Sequence, residues 1–265
     1  MSAPICNVTQ GTLPLLISIP HGGEQLPDWL VPRLTPAARE RADTDWHLRR
    51  LYAFAVEQGA SVVEANYSRY VIDVNRPGDG SSLYPGQTTT TLCPVDTFRG
   101  EPLYLPGNTP SAEEVEARKR DYWQPYHDAL AAEIARLRER HAKVLVWEAH
   151  SIAGVLPRLF DGRLPDLNIG TYSGASCAPA MRDAVIAAAT QGPFTWVADD
   201  RFKGGHITRH YGQPASGVHT IQLEMAQSVY MDERAPFPYL PQAAGRVQPV
   251  LRSMLDGALA AMASL

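Results

Sequence analysis

The sequence predicts an α/β sandwich built on a parallel or mixed sheet. Two apolar runs of strand length, LPLLISIP (13–20) and KVLVWEAHS (143–151), point there, because a strand apolar at nearly every position is one buried on both faces. The stretches between them carry apolar residues at helical spacing, and strands alternating with helices cover a sheet in this way. A chain of 265 residues with 45% apolar content can bury one sizeable core, so a single domain over 1–265 is the expectation.

Taken in order, LPLLISIP delivers His21 to a loop at the carboxyl end of a strand. TDWHLRRLYAFAVEQGA (44–60) places Trp46, Leu48, Leu51, Phe54 and Ala55 at roughly helical spacing and ends on Gly59, ahead of the β-branched pair in ASVVEA. SRYVIDVNRP (68–77) alternates Tyr70, Ile72 and Val74 with other residues before a proline stop, which predicts a strand. Residues 78–110 turn to Gly, Pro, Thr and Ser without a period, as a long functional loop does. Ser111 and Glu114 fit a capping box, and Tyr122, Tyr126, Leu130, Ile134 and Leu137 mark one face of a long helix that Pro125 should kink. After the second apolar strand come an alanine-rich helix over 178–190, a late strand HTIQLEMAQ (219–227) and a closing helix over 243–265.

A net charge of −4 and a pI near 6.1 supply no bulk attraction to nucleic acid or to an anionic membrane. Any anionic ligand must meet a local basic site. Cys6, Cys93 and Cys177 are too few and too scattered for a disulfide framework or a thiolate metal site. No basic leader and no long apolar span stand out, so a cytoplasmic protein is expected; its oligomeric state is open.

Ligands of open α/β sheets collect at the carboxyl ends of strands. Polar residues that directly follow apolar runs therefore carry weight, and four groups qualify: PHGGE at His21, DVNR at Asp73, EAHS at His150 and QLEM at Glu224. Two imidazoles and one carboxylate can hold a divalent ion, zinc being the expected one, with a position left for water, which suits attack on an amide. The third ligand is open between Glu24, three residues after His21, and Asp45, at the start of the next helix. Glu224, in an otherwise apolar strand, reads as a general base, with a carboxylate paired on an exposed face as the plainer alternative. Asn75 and Arg76 at a strand end suit a substrate carboxylate, for which Arg69 and Arg209 are further candidates. RFKGGHITRHYG (201–212), with Lys203, His206, Arg209, His210 and Tyr211, reads as a loop that closes over an anion, or as a solvated surface loop.

Through LLISIPHGG, DTDWHLRRLYAFA, YSRYVIDVNRP, LYPGQTTT, WEAHSI, FDGRLPDLNIGTYSGASC and RFKGGHITRHYG, the chain resembles the N-formylglutamate amidohydrolase (deformylase) family of bacterial histidine degradation over nearly its full length. The resemblance implies metal-dependent hydrolysis of N-formyl-L-glutamate to formate and L-glutamate. That family is similar to zinc carboxypeptidases and aspartoacylases, which implies a phosphorylase/hydrolase-like three-layer sandwich with a central mixed, mainly parallel sheet. The HxxE of those relatives falls on His21 and Glu24, their HS on His150 and Ser151, their NR on Asn75 and Arg76, and their catalytic glutamate on Glu224. In the nearer deformylases the aspartate of TDWH is the fixed acid, so Asp45 stands beside Glu24 as third ligand. Three alternatives remain. One is a hydrolase of another N-acyl acidic amino acid, whose small acyl group Gly22 and Gly23 would suit. Another is a serine or cysteine hydrolase using HGG as an oxyanion hole, against which the lack of GxSxG counts. The third is a non-catalytic binder of acidic amino-acid derivatives.

Overall fold

In the computed structural model, which describes residues 3–83, 86 and 89–265, the two apolar runs become adjacent parallel strands, β2 (Leu15–Ile19) and β4 (Val144–Ile152). Every residue of both is buried. Around them, among the described residues, lie β1 (Cys6–Thr9), β3 (Ser61–Ala65), β5 (Leu167–Gly170), β6 (Trp196–Ala198) and β7 (Val218–Ala226), in the order β1-β3-β2-β4-β7-β5-β6. β1 runs antiparallel to β3 and β5 antiparallel to β7; the other neighbours are parallel. The sheet is therefore mixed and mainly parallel.

Alternation in the strands sorts side chains to two cores. Leu15, Ile17 and Ile19 of β2 and Leu145, Trp147 and Ala149 of β4 pack on one face, with α2 (Leu48–Leu51), α3 (Ala53–Glu57), α6 (Pro179–Gln191) and α8 (Pro241–Ala263). Leu16, Val144 and Val146 face the other way, against Tyr126, Leu130, Ile134 and Leu137 of α5 (Gln124–Arg138) and Ile207 of α7 (His206–Tyr211). Helices thus cover both faces. The chain leaves β2 on one side for β3 and returns on the other for β4, so the order reverses between β2 and β4. That is where an α/β sheet opens a crevice at its strand ends.

Several local expectations change. Residues 68–77 form turns instead of a strand: Tyr70, Val71, Ile72 and Val74 are all buried, and the Asp73 carboxylate accepts from Asn75 N at 2.9 Å, folding the chain back on itself. The helix expected over 44–60 splits into α2 and α3, entered through His47 in the left-handed region (φ 62°). Pro125 sits in the first turn of α5, where its missing N–H is tolerated, and a π-helical turn, Lys119–Trp123, joins it to α4 (Ala112–Arg118). Ser111 accepts from Glu114 N at 3.3 Å, while the Glu114 carboxylate turns to Arg33 and Arg118. RFKGGHITRHYG contains α7. The described part of 78–110 takes turns and isolated bridges, and Tyr84, Pro85, Gln87 and Thr88 of LYPGQTTT lie outside the described residues.

Candidate active site

His21 follows β2 after Pro20, and His150 lies near the end of the neighbouring β4. Their rings stand 4.9 Å apart, both buried. Asp45 comes from the loop between α1 (Pro36–Glu40) and α2, bracketed by Arg41 (φ 53°) and His47 (φ 62°), two non-glycine residues in the left-handed region. Its N–H donates to the His21 carbonyl at 3.0 Å, and its Oδ2 accepts from Ser151 N at 3.1 Å. That oxygen lies 3.0 Å from His150 Nδ1 and 3.8 Å from His21 Nδ1. One ligand atom each from His21, Asp45 and His150 fall within 4.8 Å of one another. Glu24, by contrast, is exposed and outside this group.

A buried carboxylate holds the far nitrogen of each ring. His21 Nε2 lies 2.7 Å from Asp73 Oδ1, and His150 Nε2 lies 2.7 Å from Glu148 Oε1. With Nε2 of each ring held there, Nδ1 of both rings turns towards the Asp45 side. Burial and the Arg69 guanidinium lower the His21 pKa, which keeps the ring neutral. Burial acts the same way on His150, but its bonds to Asp45 and Glu148 prevail and raise it to about 10. Asp73 and Glu148, which burial alone would raise, are instead lowered: Asp73 by Arg69 and His21, Glu148 by His150 and Thr208.

β4 and β7 pair in register over nine residues, setting His150 beside Glu224 and Glu148 beside Gln222. Glu224 is buried and lines the cleft with His21, Asp45 and His150. Burial, helped by repulsion from Asp45 and Glu148 and opposed by His150 and Arg69, raises its carboxyl to about 8. A carboxyl poised there can exchange a proton near neutral pH.

Among the basic candidates, Arg69 and Arg76 line the cleft. Arg69 is committed to Asp73 (2.6 Å) and lies over Phe98, with Nη1 3.3 Å from His21 Nδ1. Arg76 donates to Thr90 O and Oγ1. Arg209 falls outside the cleft lining: it donates to Gly204 O and Leu83 O and lies over Tyr172. Asn75 is buried in the cleft wall, its Oδ1 accepting from Ile207 N and its Nδ2 donating to Glu148. Gly22 and Gly23 are not in the lining; a Cβ on Gly23 would meet Tyr67 O at 2.3 Å, so that glycine permits backbone packing. Arg201, Phe202, Gly205 and Gln222 line the cleft although sequence reasoning had not singled them out. Gln222 shares QLEM with Glu224, a signal that alternation in the strand carried.

The family model of N-formylglutamate amidohydrolase matches residues 13–231. The chain is 51% identical to an N-formylglutamate deformylase of Pseudomonas putida, over 95% of this chain and 94% of that one. It is 50% identical to that of Pseudomonas aeruginosa, over 97% and 96%. A crystal structure of N-formylglutamate amidohydrolase from Ralstonia eutropha superposes with a TM-score of 0.80 at 22% identity, covering 98% and 97%, and shares the α/β fold. With 219 consecutive positions matched by the model and half the residues shared with two deformylases along almost the whole chain, this protein belongs to the N-formylglutamate amidohydrolase family.

Proposed function

We propose that the chain hydrolyses N-formyl-L-glutamate to formate and L-glutamate with a divalent cation, zinc being the first candidate, held by His21, Asp45 and His150. The observation that carries this reading is the donor set: two imidazole Nδ1 atoms and one carboxylate oxygen gathered at one place, each ring backed by its own buried carboxylate. Asp45 is preferred to Glu24 because Glu24 is exposed away from that set. The position of the site, across β2 and β4 at their carboxyl ends, supports kinship with the zinc exopeptidases.

When bound, such a cation supplies Lewis acidity, polarising an amide carbonyl and acidifying water. Glu224 takes up the proton released as water attacks and returns it to the leaving nitrogen, a task for which a carboxyl raised by burial is suited. Arg76 and Arg201 hold the two substrate carboxylates, while Phe98, Ile152, Leu159 and Phe202 exclude water from the reacting end. Arg69 fixes Asp73 and through it the His21 ring.

Release of L-glutamate from its N-formyl, N-acetyl and N-succinyl derivatives, with and without a strong chelator, tests the reading. Release from the formyl compound alone, abolished by chelator, is expected; release that survives chelation overturns the metal assignment. Glu224→Gln should keep metal and substrate while losing about a hundredfold or more in kcat. Undiminished turnover removes Glu224 from the chemistry.

A further inference from the structure

α7 is joined to the ligand cluster by a buried chain of polar contacts. The Thr208 hydroxyl donates to Glu148 Oε2, and Glu148 Oε1 accepts from His150 Nε2 at 2.7 Å. Thr208 and Glu148 are both fully buried. Asn75 makes a second link: its Nδ2 donates to Glu148, its Oδ1 accepts from Ile207 N at 2.9 Å, and its carbonyl accepts from His206 N at 3.3 Å. Gly205 lets the helix come this close, since a Cβ there would meet Asn75 Nδ2 at 2.3 Å, and Gly205 N donates to Gln222 Oε1 at 2.8 Å. The residues leading into α7 include Arg201 and Phe202 of the cleft wall.

We infer that Thr208 is a positioning residue, acting through Glu148 to aim His150 Nδ1 at the cation and coupling the Arg201-bearing wall to the metal site. This rests on the metal reading above. A buried anion such as Glu148 needs each of its oxygens occupied, and Thr208 is the donor that occupies Oε2. With the hydroxyl removed, Glu148 can turn towards α7, and the His150 ring then loses its orientation. Partners of this kind behind a metal ligand typically set affinity by about 10- to 100-fold. Because the same contact anchors α7, substrate affinity should fall in step with metal affinity.

The test is calorimetric zinc binding to the chelator-stripped protein in wild type, Thr208→Val, Thr208→Ser, Glu148→Gln and Asp45→Ala, with KM for N-formyl-L-glutamate measured on the zinc-loaded wild type and Thr208 variants. Thr208→Val should raise the zinc dissociation constant about 10-fold and raise KM, while Thr208→Ser, which keeps the hydroxyl, restores both. Should Thr208→Val fail to fold, Glu148→Gln decides, with the same weakening expected. Zinc affinity within about twofold of wild type in Thr208→Val, or in Glu148→Gln where Thr208→Val does not fold, with wild type and not Asp45→Ala binding zinc, overturns the inference and leaves the metal site standing. Wild type that binds no zinc overturns both.

Discussion

Replacing Asp45 by alanine removes an oxygen that faces both imidazoles, so metal affinity should fall by at least about 100-fold, while Glu24→Ala should stay within about twofold. Zinc titration of the two variants checks this, and the reverse ranking would restore Glu24 as ligand. Arg201→Leu removes a guanidinium from the cleft and should raise KM about 10- to 100-fold with a much smaller change in kcat, the pattern of an interaction made equally in ground and transition states. Steady-state kinetics separates the two constants; a fall in kcat alone would contradict a binding role. At this scale His21, His150 and Glu224 were legible because each follows or ends an apolar run, where a polar residue stands out. Asp45 and Glu24 were not separable, since each is an acid in a loop and only the folding of residues 41–47 back onto His21 brings one of them in. Arg209 and Arg201 share a basic, glycine-bearing segment, and sequence alone does not separate them; in the structure Arg201 lines the cleft and Arg209 lies over Tyr172.

The elements behind the site make their own prediction. His127 of α5 is buried, with Nε2 donating to Val74 O at 2.8 Å and Tyr211 OH 3.0 Å from Nδ1, so α5 grips the DVNR turn that carries Asp73 and Asn75. Burial, together with His206 and His210 and against the bond to Val74, lowers its pKa to about 3. Between pH 3 and the unfolded value near 6.5 the unfolded chain binds the extra proton, so this contribution to stability is whole above 6.5 and is lost as pH falls. His206, lowered to about 4 mainly by burial, acts in the same direction. Urea unfolding of wild type and His127→Gln from pH 4 to 7 should give a shallower fall for the variant, by up to about 1.4 kcal/mol per pH unit. Parallel curves would contradict the assignment. The continuous apolar runs of β2 and β4 and the patterned segments of β7, α5, α6 and α8 were legible in the sequence. β1, β5 and β6 are three or four residues each, too short for a period to register, and α7 lacks a cap residue at Gly205. The DVNR segment alternates as a strand does, yet a side-chain to backbone bond at Asp73 turns it.

For the molecule as a whole, a cation that binds only the folded state links metal content to stability. At a free zinc concentration of 100 times its dissociation constant the folded state gains about 2.7 kcal/mol, several degrees in melting temperature. Melts with zinc and with chelator should differ by that amount in wild type and coincide in Asp45→Ala; a shift retained in the variant would place the cation elsewhere. The order of the sheet was beyond sequence reasoning, because strand neighbours are set by long-range pairing, and the reversal between β2 and β4 that opens the cleft exists only in three dimensions. What the chain did announce was its α/β class and its family. The most direct measurement is element-specific anomalous X-ray scattering from crystals of the zinc-loaded protein. One peak bounded by Nδ1 of His21, Nδ1 of His150 and Oδ2 of Asp45 is the expected result. A peak away from those three atoms, or none there at full activity, would contradict it.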